Sequence, residues 1–150
     1  MPTRATLFSI LLLIVGLAAA CGPTTVAPTA APAAPPALAV QGKVGQELHL
    51  SLDDVKALGL QTITAEHPKS GPQEYEGVPL NTVLDQAGPA GDATAVVFNA
   101  SDGFSSEVAL ADVRACADCL IAVEGSTLNM VMPGMSSKTW VKMVVSIEVK

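Results

Sequence analysis

The chain has 150 residues, of which 8 are basic and 14 acidic, giving a net charge of −6. An acidic balance of this size argues against a nucleic-acid partner and against electrostatic docking on anionic lipid. Mean hydropathy is positive, but part of the excess comes from an apolar N-terminus and an Ala-rich stretch behind it, so it does not indicate a membrane-embedded domain.

Residues 1–20 begin with one charge, Arg4, continue through the apolar run 7–17 and end in Ala18-Ala19-Ala20 just before Cys21. A positive start, a short apolar centre and small residues at a cleavage point describe a secretory signal. The run is shorter than the ~20 apolar residues that a bilayer span requires. Because the small residues end on a cysteine, the segment resembles a bacterial lipoprotein signal, with Ala18 where such signals usually carry Leu. Cys21 is then the lipidated N-terminus of the mature chain, which keeps 7 basic and 14 acidic side chains for a net −7. This reading places the protein outside the cytoplasm in a bacterial cell envelope, held to a membrane by lipid, since each buried CH₂ adds ~0.8 kcal/mol.

Residues 21–40 read as a tether. Pro23, Pro28, Pro32, Pro35 and Pro36 stand among seven alanines, with no charge and no large apolar side chain beyond Val26, Leu38 and Val40. Such a segment buries too little to offset its ordering entropy, and its prolines bias it toward extended polyproline II. Residues 41–150 remain as one domain with a modest core.

Within that domain, Lys43-Val44-Gly45 closes a first strand and residues 47–50 alternate. Ser51 is placed to cap a short helix over residues 52–58, with Asp53 and Asp54 in the first turn and Gly59 as its stop. Residues 61–65 are β-branched and predict a strand. His67 to Pro72 form a turn cluster, and residues 74–78 a short strand or bend. Leu80, Val83, Leu84 and Ala87 recur at helical spacing and predict an amphipathic helix closed by Gly88-Pro89. Strands follow over 94–100 and 104–110 around the turn Ser101-Asp102-Gly103, then a helical turn over 111–115. Two more strands, 120–123 and 128–132, join near Glu124-Gly125. The last strand alternates, with Val141, Met143, Val145, Ile147 and Val149 expected on the core face and only Val144 out of pattern. Strands outnumber the short helices and do not alternate with them regularly. The fold class is therefore α+β with a mixed, mostly antiparallel sheet, not a doubly wound parallel one.

The run Glu74-Tyr75-Glu76-Gly77-Val78-Pro79-Leu80, followed by Val83-Leu84 and Ala87-Gly88, resembles a signature of the molybdopterin-binding oxidoreductase domain, the sulfite-oxidase fold. Two further stretches carry the same resemblance in the same order. They are Ala100-Ser101-Asp102-Gly103-Phe104 and the ending Pro133-Gly134, Lys138-Thr139-Trp140-Val141-Lys142, Ile147-Glu148-Val149. The resemblance implies a sulfite-oxidase-like molybdopterin-binding fold. In complete members it also implies a pterin-bound molybdenum centre performing oxygen-atom or electron transfer. Those members are much longer, and a cysteine thiolate upstream of the shared segment holds their molybdenum; upstream here stands the tether. The resemblance implies that Ser136, Ser137, Lys138 and Lys142 correspond to the pterin-contacting loop, where hydroxyls, ammonium groups and turn amides could hold a phosphate. The chain departs from the pattern at Ser137, where the family often has Gly, and at Met143, where it has Trp.

Three other groups of residues could carry chemistry. Cys116-Ala117-Asp118-Cys119 is the cysteine pair left once Cys21 is acylated, and outside the cytoplasm such a pair reads as a disulfide, with redox and metal roles as alternatives. Met130, Met132 and Met135 are soft donors suited to copper, although Met130 and Met132 share one strand face and so also read as core. His49 and His67 are isolated and read as surface histidines. No catalytic residue is assigned, and whether the chain is an enzyme stays open.

The sequence thus supports a lipid-anchored binding or accessory module on a reduced molybdopterin-domain scaffold. No resident cofactor is expected beyond the molybdopterin that the resemblance implies, and its partner would be an envelope redox protein. The alternatives are a pterin-cofactor oxidoreductase or electron-transfer subunit, and a copper or thiol-redox protein built on Cys116, Cys119 and the methionines.

Overall fold

The first strand, β1 (Leu38–Gly42), begins inside the stretch expected to be tether. Leu38 and Val40 are fully buried, so the domain starts ahead of residue 41, because these two side chains alternate onto the core face once paired strands are available. The computed structural model describes residues 35–150. The signal-like segment, Cys21 and most of the tether lie outside the described residues. Among the described residues no helix is long and apolar enough to cross a membrane.

After β1 come β2 (Leu48–Leu50), α1 (Leu52–Ala57), β3 (Gln61–His67), β4 (Gly71–Pro79) and α2 (Leu80–Ala87). Then follow β5 (Ala95–Ala100), β6 (Ser105–Ala109), α3 (Leu110–Ala115), β7 (Leu120–Glu124), β8 (Thr127–Val131) and β9 (Val144–Val149). The strands form two sheets, ordered β2-β1-β9-β5-β6 and β3-β4-β7-β8. Among the described residues only β1 and β9 pair in parallel, with Val40 opposite Ile147; the other strand pairings there are antiparallel. The fold is α+β and antiparallel-dominated, as its pattern implies.

Local chemistry accounts for the helices. Ser51 accepts from the Asp54 amide while the Asp54 carboxylate accepts from the Ser51 amide, a reciprocal capping box at the start of α1. These bonds, the Ser51 hydroxyl first, hold the Asp54 carboxyl below the ordinary aspartate range. All four residues of the α2 apolar stripe, Leu80, Val83, Leu84 and Ala87, are fully buried, and Gly88 ends the helix in the left-handed region at φ 62°.

One main core joins the two sheets and α2, with Phe98, Leu38, Ile147, Ile121 and Met130 among its members. A smaller cluster of Ala65, Leu120, Ala122 and Val131 lies on the other face of the four-stranded sheet. β7 is therefore apolar on both faces, which explains its unbroken Leu120-Ile121-Ala122 run. Trp140 packs against both clusters. Two glycines permit close backbone approach: a Cβ on Gly77 would stand 2.1 Å from the Ile121 carbonyl oxygen, and one on Gly42 2.3 Å from that of Val149.

The closing strand departs from its expected parity. Asn99 lies opposite Ser146 but Ala100 lies opposite Val144, so Val145 is an extra residue at a bulge. The bulge turns Val144 inward, at 2% exposure, and leaves Met143 and Val145 at 42% and 41%. A one-residue insertion exchanges the two faces of every residue on its far side. Met143, the residue expected inside, has φ 51°. Its amide donates to Asn129 Oδ1 at 2.9 Å, and its carbonyl accepts from the Ser101 amide at 2.9 Å.

Candidate functional site

The long hairpin of β3 and β4 carries its register from Gln61 opposite Gly77 to His67 opposite Gly71. The expected turn is therefore confined to the centre of its cluster, Pro68, Lys69 and Ser70, while His67, Gly71 and Pro72 belong to the two strands. This hairpin brings its end to the loop that precedes β9. A short 3₁₀ turn, Ser137–Thr139, leads that loop into Trp140. The Met130 amide donates to the Val141 carbonyl at 2.7 Å and ties the loop to β8.

Between hairpin and loop lies a cleft centred on Trp140. Its smaller lobe, of about 200 Å³, is lined by Gln73, Tyr75, Glu124 and Asn129 together with His67, Ser70, Trp140 and Lys142. The last four also line a second lobe of about 370 Å³, where Lys69 and Ser137 join them. The His67 ring meets the indole edge-on with centroids 4.7 Å apart, and Tyr75 approaches it at 5.8 Å. The chain's single Tyr and single Trp thus face the same space.

The polar groups around these rings are unevenly satisfied. His67 Nδ1 accepts from the Lys69 amide at 3.1 Å, so a neutral imidazole carries its proton on Nε2. Tyr75 donates its hydroxyl proton to Gln73 Oε1 at 3.1 Å. Burial, with the Glu124 carboxylate adding to it, raises the Tyr75 pKa above the ordinary tyrosine value and keeps it a neutral donor. Trp140 Nε1 is buried and has no hydrogen-bond partner. A buried indole N–H without a partner carries a desolvation cost. Among the described residues Lys43, Arg114 and Lys150 pair with carboxylates, whereas Lys69 and Lys142, at the cleft, do not. An acidic protein thus keeps unpaired ammonium groups beside aromatic side chains, an arrangement suited to a small anion or an anionic ring compound.

Of the loop residues singled out in the sequence, Ser137 and Lys142 line the cleft, while Ser136 and Lys138 are exposed and do not. His67 is half-buried against Trp140, not a free surface histidine, because the hairpin runs to its end instead of turning early. His49 is exposed on β2. Met130 and Met132 are buried to 1% and 0% within the main core, so the three-methionine copper set does not assemble; a strand face shared with the core withdraws both thioethers. Cys116 and Cys119 form a disulfide, with Cα atoms 5.4 Å apart. Lys69, Ser70, Gln73, Tyr75, Asn129 and Trp140 were not foreseen as site residues. The usable signal was that the sole Trp stands next to the polar loop.

A family model described as the oxidoreductase molybdopterin binding domain matches residues 28–150. The fold is similar to that in the crystal structure of the sulfane dehydrogenase SoxCD from Paracoccus pantotrophus, with a TM-score of 0.64 at 18% sequence identity. The similarity covers 75% of this chain and 37% of that one, and at this identity it concerns the fold alone. No curated protein matches the chain. By the span and order of the matched segment, the chain belongs to the oxidoreductase molybdopterin-binding domain family.

Proposed function

We propose that the chain is a lipid-anchored, extracytoplasmic binding module of this family, acting as an accessory to an envelope partner and not as a molybdenum catalyst. The observation that carries the reading is the state of its thiols. The described residues contain two cysteines, Cys116 and Cys119, and they are bonded to each other. A metal that relies on a cysteine thiolate therefore lacks that donor in the described domain.

The cleft itself fits the organic part of such a cofactor better than its metal. The aromatic side chains of His67, Tyr75 and Trp140 and the ammonium groups of Lys69 and Lys142 favour a planar ring bearing an anionic group. That chemistry also supports the second reading, a pterin-cofactor oxidoreductase or electron-transfer subunit. The lipid anchor rests on residues 1–20 and Cys21, and the envelope location follows from that anchor.

The test is metal and pterin analysis of the natively purified full chain. A binding module carries no stoichiometric molybdenum, whether or not it retains a pterin or another anion. Molybdenum at one equivalent per chain would sink the proposal and establish the second reading.

A further inference from the structure

Of the four strands at the sheet margins, β3 is the longest. β2 spans three residues, β6 and β8 five each, and β3 seven. β8 is tied to the segment before β9 by the Met130 amide and by Asn129. β3 pairs on one side alone, with β4, and among the described residues no backbone bond from another element reaches residues 61–66. An unpaired edge invites another strand and is usually blunted by lysine, proline or a bulge. β3 has none of these. It reads Gln61-Thr62-Ile63-Thr64-Ala65-Glu66-His67 in unbroken register.

The two faces of β3 differ. Ala65 is buried and Ile63 and His67 are half-buried on the side of the small cluster, whereas Thr62, Thr64 and Glu66 are exposed on the other. Directly opposite residues of an antiparallel pair share a face, so an added strand must match this alternation. A second copy of β3 matches it about a two-fold axis through Thr64. Thr64 then meets Thr64, Ile63 meets Ala65, Thr62 meets Glu66 and Gln61 meets His67. All seven residues pair, and no like charges stand opposite. Any other centre pairs fewer residues, and centring on Glu66 sets two carboxylates face to face.

We infer that β3 is a homodimer seam, an isologous contact that joins two four-stranded sheets into one of eight. Each Ile63 extends the apolar side of the other copy at Ala65. Gln61 of one copy stands opposite His67 of the other, at the rim of the Trp140 cleft that His67 lines. On the exposed side Glu76 lies opposite Thr62 within each hairpin, so every Thr62 has its own Glu76 on one flank and Glu66 of the other copy on the other. These carboxylates are two strand spacings apart, ~10 Å, close enough to repel until salt screens them.

The test uses the full chain in non-ionic detergent with several micelles per chain, so that anchored copies do not share a micelle by chance. Thr64→Cys, mildly oxidised, links into a dimer, because directly opposite Cα atoms ~4.5–5.5 Å apart lie within disulfide reach. Glu74→Cys, exposed and one strand away from the seam, does not. Sedimentation velocity shows a concentration-dependent dimer that tightens as salt is added. Thr64→Glu sets two carboxylates face to face and weakens association by about tenfold or more, with native circular dichroism, since Thr64 is exposed. Thr64→Val keeps the dimer. The proposal is overturned if Thr64→Cys links no better than Glu74→Cys, if Thr64→Glu associates like the parent, or if added salt dissociates the dimer. A chain that stays monomeric overturns it as well and leaves this edge to an extended peptide of another protein.

Discussion

The imidazole of His67 stands edge-on against the indole of Trp140, with 4.7 Å between centroids and 80° between planes. The contact joins the end of the β3–β4 hairpin to the loop before β9, and it covers the small cluster of Ala65, Leu120, Ala122 and Val131. Trp140→Ala uncovers those side chains. A fully buried Trp→Ala change costs ~3–5 kcal/mol; for this half-buried ring we expect about 2–3. Trp140→Phe keeps the cover and removes a buried donor that has no partner, which relieves a penalty of ~1–3 kcal/mol while losing some packing. Its stability in urea should stay within about 1 kcal/mol of the parent. Equal destabilisation by both changes would show that the indole N–H is partnered.

Gly77 sets how closely β4 and β7 approach. An added Cβ would stand 2.1 Å from the Ile121 carbonyl oxygen and 2.6 Å from Ala122 Cα, and both are backbone that cannot swing aside. Gly77→Ala should cost about 3 kcal/mol or more. Gly91→Ala, where nothing lies within 4 Å, should change stability by less than ~0.5 kcal/mol. Denaturation midpoints of the two variants check this, and similar midpoints would refute the close approach.

Local signals were enough for α1 and α2, because a capping serine and a four-residue apolar stripe act within a few residues of chain. The core face of β9 was not legible beyond the bulge. Whether an extra residue enters at Val145 depends on Asn129 and Ser101, which belong to other elements. The cleft was half legible for the same reason. Ser137 and Lys142 announced a polar loop beside the only tryptophan, but His67 and Tyr75 reach it only through the hairpin register. The start of β1 was hidden by composition, since Leu38 and Val40 sit among prolines and alanines that read as tether.

Met143 holds a left-handed backbone at φ 51° with its side chain 42% exposed. Such a conformation costs a non-glycine residue ~1–2 kcal/mol. Met143→Gly relieves it and gives up little packing, so stability should hold or rise by about 1 kcal/mol. Asn129→Ala removes the acceptor for the Met143 amide and should cost ~1–2 kcal/mol. A loss above 1 kcal/mol in the glycine variant, read from urea unfolding, would mean that the bulge does not carry this strain.

The proposed lipid anchor hangs on one residue, Cys21. Two or more acyl chains hold a protein stably on a membrane, whereas one gives marginal binding. The parent chain should enter the detergent phase of a Triton X-114 partition and incorporate labelled palmitate when expressed in a bacterial host. Cys21→Ser should do neither. Label in the serine variant, or a parent that stays in the aqueous phase, would remove the anchor from the proposed function.

Tyr75 offers a direct probe of the cleft, because it is the only tyrosine in the chain and tyrosinate absorbance can be assigned to it alone. Burial first, and the Glu124 carboxylate second, raise its pKa above the ordinary value of 10.0, since both disfavour the charged phenolate. The sign for stability follows: a folded pKa above the unfolded one contributes stability that is fully present below the unfolded value and is lost as pH rises through the folded value. The absorbance midpoint of the folded chain should therefore lie above 10.0 and return to about 10 in denaturant. Glu124→Gln removes the smaller cause, so its midpoint should fall toward the ordinary value while staying above it. A folded midpoint at or below the ordinary value would place Tyr75 in water, outside the cleft. A midpoint insensitive to Glu124→Gln would separate the Glu124 carboxylate from the phenol and leave burial as the sole cause of the shift.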